Sequence, residues 1–107
     1  MLNNSVAKQE YRKRPYTDFI APVLMSLSFP ENENVRKTIS EIESDACEIL
    51  DISYDERRSY YNAMYNIRIV RSKLEYALRT MREEKLIEAV GLSEYRITEK
   101  GQQELFS

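Results

Sequence analysis

The chain has 107 residues, 42% of them hydrophobic and 32% charged, with a formal net charge of −2. This length allows one domain with one core, and a nearly neutral charge argues against an indiscriminate polyanion binder. With no histidine and one cysteine, the chain cannot form a Cys/His zinc site or a Ser-His-Asp triad. Since the residues do not suggest a convergent acid, base or nucleophile, we expect neither an enzyme nor a cofactor.

The N-terminal segment 1–14 is polar and basic and lacks the apolar run of a secretory signal. It is predicted to be a flexible basic arm ahead of a domain at 15–107. The longest run without a charge, "FIAPVLMSLSFP", is shorter than the roughly 18 apolar residues needed to cross a bilayer. We therefore expect a cytoplasmic protein without a membrane partner.

Helical apolar spacing predicts three helices in the first two thirds of the chain. "YTDFIAPVLMSLSF" should form the first, beginning near Tyr16 or Thr17. "RKTISEIESDACEILDI" should form the second, with its acidic residues on a solvated face and the thiol of Cys47 buried. In "DISYDERRSYYNAMYN", Ser53 and Glu56 have the spacing of a capping box, so a third helix should begin there.

The third predicted helix is rich in tyrosine, and the segment after it is ambiguous. Its aromatic residues are more typical of a core or a subunit interface than of a surface that stacks on nucleic-acid bases. "NIRIVR" suits an extended segment by its alternation and a helix by its neighbours. Both alternatives stay open at this stage.

A basic helix is predicted over "RSKLEYALRTMREEK", with Ser72 and Glu75 as a second capping box. Leu74, Ala77, Leu78 and Met81 form its apolar stripe. The opposite face carries Ser72, Glu75, Tyr76, Arg79 and Glu83. Arginine, lysine, serine and tyrosine can contact phosphates and base edges, whereas the alternative is an ordinary solvated face.

A β-hairpin is predicted directly after this helix, from two β-favouring runs at 86–90 and 94–98. Gly91 supplies the backbone freedom that the turn needs. Thr98 should cap a short closing helix whose Leu105 and Phe106 return to the core.

Charge is unevenly distributed along the chain. Residues 31–56 are mostly acidic, whereas residues 59–82 carry five arginines or lysines against Glu75 alone. Such segregation can create a basic face on an acidic protein. A continuous positive stripe through Arg71, Lys73, Arg79 and Arg96 would favour DNA binding, and a neutral surface there would favour protein docking.

Two segments carry a family resemblance. "SKLEYALRTMREEKLIE" and "EYRITEKGQQEL" resemble the recognition helix, wing and closing helix of winged helix-turn-helix proteins. From "RPYTDFIAPVLMSLS" to "EYRITEKGQQEL", the chain is similar to the N-terminal domain of Mrr-type restriction endonucleases. The resemblance implies a mainly α fold with a small β-hairpin wing, and recognition of DNA for an attached nuclease.

The leading functional hypothesis is a DNA-binding winged helix protein, for example a transcriptional regulator, with a recognition helix at about 71–84 and a wing at about 86–98. The alternative is a winged helix protein–protein interaction module without direct DNA binding. A homodimer fits either hypothesis, and a separate effector protein stays open. We expect no nuclease activity from this chain. The residues expected to contact DNA are Arg71, Ser72, Lys73, Tyr76, Arg79, Arg96 and Lys100.

Overall fold

The structure, a computed structural model, describes residues 9–28 and 35–106. The fold is mainly α with a small antiparallel sheet, which is the predicted class. The helical elements are residues 9–13 (α1), a 3-10 turn at Tyr16–Phe19, Ile20–Ser28 (α2), Ile39–Ile49 (α3), Tyr54–Arg58 (α4), Ile69–Glu83 (α5) and Glu99–Phe106 (α6). The strands are Lys37–Thr38 (β1), Tyr60–Asn62 (β2), Ile67–Arg68 (β3), Ile87–Val90 (β4) and Glu94–Ile97 (β5).

The hairpin predicted after the basic helix is present as β4 and β5. The two strands are antiparallel, with Ile87 opposite Ile97 and Val90 opposite Glu94. On its other edge β5 pairs with the two-residue strand β1, which the sequence pattern was too short to indicate. The β4–β5 hairpin, which stands where the wing was predicted, directly follows α5 and is called the wing below.

The core lies between α2, α3, α5 and the start of β4. The apolar stripe predicted for α5 is confirmed, because each of its four members is at most 2% exposed. Cys47 is buried, as predicted, and burial raises the pKa of its thiol. In α6, Leu105 packs on the core but Phe106 is 78% exposed, so the predicted return to the core holds for Leu105 alone.

The wing and α6 are joined to the end of α5 by local contacts. Gly91 has a φ of +63° at the hairpin turn, as the turn prediction required. Thr98 caps α6, since its hydroxyl accepts from the Gly101 N–H at 3.1 Å and lies 2.6 Å from the Lys85 carbonyl oxygen. A Cβ at Gly101 would overlap the Leu86 carbonyl oxygen, so glycine permits the close approach of α6.

The third predicted helix is much shorter than expected. Ser53 caps it, accepting from the Glu56 N–H at 3.1 Å, but α4 ends at Arg58 and the chain then forms a second hairpin from β2 and β3. Its tyrosines are not core residues, since Tyr54 and Tyr65 are about 70% exposed. Without an apolar stripe that packs on the core, a longer helix has little to stabilise it.

The basic helix α5 begins three residues earlier than its predicted cap. Arg68 occupies the N-cap position without a side-chain cap, and Ser72 lies inside the first turn, so the second capping box was wrong. Ile69 and Val70 are buried, and the Ile69 N–H donates to the Ser59 carbonyl at 2.9 Å. Burial of these two residues favours the earlier start. "NIRIVR" therefore contains the whole of β3 and the beginning of α5.

Two further local contacts concern the N-terminal part of the chain and α3. In the arm segment, residues 9–13 are helical and Arg14 forms an ion pair with Glu56 at 2.6 Å, whereas residues 1–8 lie outside the described residues. Thr38 and Glu41 form a capping box at the start of α3 that the sequence analysis missed. Along the described ranges, no helix is long and apolar enough to cross a bilayer.

Candidate nucleic-acid interface

The outward face of α5 carries balanced charge. Arg79 and Arg82 are exposed there, and so are Glu75 and Glu83. Two cations beside two anions make this face nearly neutral at long range, because opposite charges cancel at distances larger than their separation and salt screens what remains. The continuous positive stripe that would favour DNA binding is therefore not present along this face.

Arg79 nevertheless has available donors. Its guanidinium lies 5.6 Å from the centre of the Tyr76 ring. The Tyr76 ring in turn packs against the Tyr16 ring in a T-shaped arrangement, with the two ring centres 4.6 Å apart. Within the described ranges, neither Arg79 nor Arg82 has a carboxylate within ion-pair distance. A guanidinium held against an aromatic face keeps its N–H edge available for a phosphate or a guanine.

Arg71 is bound within the protein instead. Its Nε donates to Glu43 Oε1 at 2.7 Å, and its Nη2 donates to Ser40 Oγ at 3.0 Å. Both acceptors lie on α3, so this side chain joins α3 to the first turn of α5. Two more arginines reach the same carboxylate: Arg57 from α4 at 3.0 Å and Arg68 from the end of β3 at 2.9 Å.

Glu43 is the buried centre of this network. Its side chain is 2% exposed. Burial acts to raise its pKa, but hydrogen bonds from Arg68, Arg71 and Arg57 outweigh burial and lower the pKa to about 2. The prediction that the acidic residues of α3 lie together on a solvated face is therefore wrong for Glu43. A helical wheel could have found Glu43, since it falls within the buried arc of Ile42, Ala46 and Cys47.

Lys73 points away from the outward face of α5. It is 8% exposed and its Nζ donates to the Tyr11 carbonyl oxygen in α1. Burial lowers its pKa. This side chain therefore holds the N-terminal segment against α5, and its ammonium group is engaged in that contact.

The two predicted wing contacts are each engaged with a neighbour. Arg96 Nε donates to Glu88 across the β4–β5 pair, which leaves the wing surface there close to neutral. Lys100 Nζ donates to the Glu84 carbonyl oxygen at 2.9 Å, at the C-terminal end of α5. Both residues remain exposed. The structure thus brings together Ser72, Lys73, Tyr76 and Arg79, although Lys73 is largely buried. Arg71, Arg96 and Lys100 are each engaged in a separate contact.

An open pocket of about 470 Å³ runs beside the first turns of α5. Tyr16, Tyr61, Ser72, Tyr76 and Arg79 border it, together with Lys73 and Glu75. At its edge the Arg12 guanidinium lies 5.4 Å from the centre of the Tyr61 ring. Flat rings beside guanidinium groups suit contacts with planar or anionic groups. The sequence did not indicate Arg12 or Tyr61, because their proximity depends on how α1 and β2–β3 pack on α5. Arg82 was also not selected, although it lies on α5 three residues after Arg79 and the helical spacing could have identified it.

A family model described as the Mrr N-terminal domain matches residues 16–107. The chain belongs to this family. Neither a curated protein nor a solved structure matches it. The Mrr N-terminal domain match includes α5, the β4–β5 wing and α6, the elements on which the resemblance was based. Among the side chains that the structure describes, no group of three acidic or cysteine residues is arranged to hold a metal ion.

Proposed function

We propose that this Mrr N-terminal domain binds double-stranded DNA by placing the outward face of α5 in the major groove. The observation that carries the proposal is the pair of exposed arginines on α5, Arg79 and Arg82, which lack carboxylate partners within the described ranges. Serine, tyrosine and arginine on one helical face provide donors for phosphate oxygens and base edges.

The proposed contacts form a smaller set than the sequence suggested. Arg79 contacts a base edge or a phosphate, Tyr76 packs on a base or sugar, and Ser72 donates to a phosphate. Arg82 adds a phosphate contact at the C-terminal end of the helix. Lys73 is excluded from this set by its burial. Arg96 and Lys100 contribute weak backbone contacts, because each already has a hydrogen-bond partner.

Arg79→Ala tests the proposal. We expect weaker binding to a labelled duplex, measured by fluorescence anisotropy at several salt concentrations. Loss of a phosphate contact lowers the affinity for all sequences and reduces the salt slope by about one unit, whereas loss of a base contact costs roughly 1–3 kcal/mol on the preferred sequence. The control is Glu48→Ala, an exposed residue of α3, which should not weaken binding because it removes a negative charge.

Two results would overturn DNA binding through α5. The first is an absence of salt-sensitive duplex binding by the wild-type protein at micromolar concentration. The second is wild-type affinity in Arg79→Ala. Transcriptional regulation, or DNA recognition for a separate nuclease, would be uses of the proposed binding. We further propose that the chain alone does not cut DNA, so supercoiled plasmid incubated with it and a divalent metal should stay intact.

The second candidate function is a docking module, which the neutral outward face of α5 favours. The β2–β3 hairpin adds exposed apolar side chains, including Met64 at 85% and Tyr65 at 70% exposure. Aromatic residues and methionine are enriched in protein interfaces. A homodimer or a separate effector protein would be the partner in this alternative. Size-exclusion chromatography with light scattering, with and without duplex, distinguishes self-association from DNA binding.

A further inference from the structure

Three arginines converge on one carboxylate at the junction of α3, α4 and α5. Arg57, Arg68 and Arg71, here called the arginine cluster, all form ion pairs with Glu43. None of the three has a second carboxylate partner within the described residues. One negative charge therefore faces three positive charges, which leaves two positive charges without a neutralising partner there.

The cluster presents its cations outward and hides its anion. The Glu43 side chain is 2% exposed, whereas the side chains of Arg57, Arg68 and Arg71 are 35%, 27% and 27% exposed. The carboxylate thus lies beneath the guanidinium groups and fixes their positions. Guanidinium groups that are already held in place lose less entropy when they bind an anion.

Unused donors remain in the cluster. Each guanidinium has five N–H groups in a planar fork that matches the oxygens of a phosphate. Arg57 uses its Nε for Glu43 and its Nη2 for Ser44 Oγ, and Arg71 uses the same two atoms for Glu43 and Ser40 Oγ. Their Nη1 groups have no hydrogen-bond partner among the described residues. The exposed hydroxyls of Ser40 and Ser44 lie beside them.

The cluster adjoins the surface proposed to enter the groove. Arg71 is one turn before Glu75 and two turns before Arg79 along the same ridge of α5, so Arg71 and Arg79 are about 12 Å apart along the helix axis. The major groove of B-DNA is about 12 Å wide, with a phosphate backbone along each edge. An arginine cluster at that distance from the base-contacting residue can reach one of those backbones.

We propose that the arginine cluster binds a backbone phosphate of the same duplex whose major groove receives α5. This inference rests on the proposed DNA binding and adds a phosphate contact made from α3, α4 and α5 together. Arg57 and Arg71 donate from their Nη1 groups to the phosphate oxygens, and the hydroxyls of Ser40 and Ser44 border them. Glu43 acts as a positioning residue, since it orients the guanidinium groups without touching DNA. The competing explanation is an ion-pair network that serves only to hold three helices together.

The test adds negative charge next to the cluster without removing an arginine. In Ser40→Asp/Ser44→Asp, each new carboxylate accepts the hydrogen bond that the serine hydroxyl accepts now, so the fold is retained while the two excess positive charges are neutralised. The control is Gln102→Glu/Gln103→Glu, at two exposed positions of α6, which packs on α2. Both variants change the net charge by the same amount, and circular dichroism melting checks that both are folded.

We expect Ser40→Asp/Ser44→Asp to bind duplex about tenfold more weakly than the control at 0.1 M salt, with a salt slope smaller by about one unit. Equal affinities and equal slopes for the two variants would overturn the phosphate site while leaving the α5 proposal intact. No salt-sensitive binding by the wild-type protein would overturn both proposals. A third outcome combines equal salt slopes for the two variants with a melting temperature that inorganic phosphate raises in the wild type but not in Ser40→Asp/Ser44→Asp. This outcome would mean that the cluster binds free phosphate, and it would overturn the proposed contact with the duplex.

Discussion

The two halves of α5 have similar basic sequences and opposite surroundings. In the N-terminal half, Arg71 binds Glu43 and Lys73 binds the Tyr11 carbonyl, so each of these cations has a hydrogen-bond partner within the protein. In the C-terminal half, Arg79 and Arg82 face solvent without a carboxylate partner within the described ranges. The number of basic residues in a stretch of sequence therefore does not give the positive charge exposed on the corresponding surface.

The difference arises from what packs beside each half. α3 brings Glu43 against the first turn of α5, and a buried carboxylate is stable only when cations and hydrogen bonds satisfy it. The acidic character of α3 and the basic character of the following segments are thus partly cancelled inside the fold. The separation of acidic and basic residues along the sequence therefore reflects a contact between α3 and the basic segments that follow it, as well as a charged surface.

The largest expected effect comes from removing the centre of the N-terminal network. Glu43→Ala should lower the free energy of unfolding by about 3–5 kcal/mol, because it leaves three arginines around a site with no anion. Urea denaturation followed by circular dichroism measures this. A loss below about 1 kcal/mol would mean that the network contributes little and that the two halves differ less than proposed.

Acid should weaken the same network. The pKa of Glu43 is lowered to about 2 in the folded protein, below its value near 4.3 in an unfolded chain. The resulting stability is fully present above about pH 4.5 and is lost as the pH falls towards 2, by about 3 kcal/mol in total. Denaturation curves between pH 7 and pH 2.5 measure the loss.

Glu43→Gln isolates the contribution of this one carboxyl group. The pKa values of Asp45 and Glu41 are also lowered, so some acid sensitivity remains in any variant that keeps them. The Gln variant should start from a lower stability and lose less of it between pH 5 and pH 2.5. If the free energy of unfolding fell by the same amount in the wild type and in Glu43→Gln, the acid sensitivity would come from groups other than Glu43.

Alanine substitutions in the two halves of α5 compare them directly. Arg71→Ala should reduce the free energy of unfolding by about 1–2 kcal/mol, since it removes a charged hydrogen bond to a buried acceptor. Arg79→Ala should change it by no more than about 0.5 kcal/mol, because that side chain is exposed. Chemical denaturation of both variants gives the comparison. Similar losses in both would contradict a structural contribution from Arg71 that Arg79 lacks.

The wing turn provides a small expected effect and a reference outside α5. Gly91→Val should cost about 1 kcal/mol, because a β-branched residue is strained at a φ of +63°. Apart from its two chain neighbours, no described residue has an atom within 4 Å of the position where its Cβ would be, so the expected cost comes from the backbone conformation. Gly91→Asn is the matched control, since asparagine tolerates this conformation better. An unchanged melting temperature in Gly91→Val would show that the turn does not depend on glycine.

The sequence alone determined the local features of this protein. The apolar stripe of α5, the Ser53 and Thr98 caps and the Gly91 turn depend on residues a few positions apart, so spacing was enough to predict them. The same spacing predicted an outward face containing Tyr76 and Arg79, and the family resemblance rested on these elements.

Only the tertiary structure determines which basic residues are available to contact a partner and which pair within the protein. Glu43 is separated from Arg57, Arg68 and Arg71 by 14, 25 and 28 positions, and no local pattern links them. Their pairing follows from the packing of α3 against α4 and α5, which buries the carboxylate and makes the arginines converge on it. The second hairpin, formed by β2 and β3, likewise depends on contacts with its neighbours, because its tyrosines occur at helical spacing in a segment that has no core to cover.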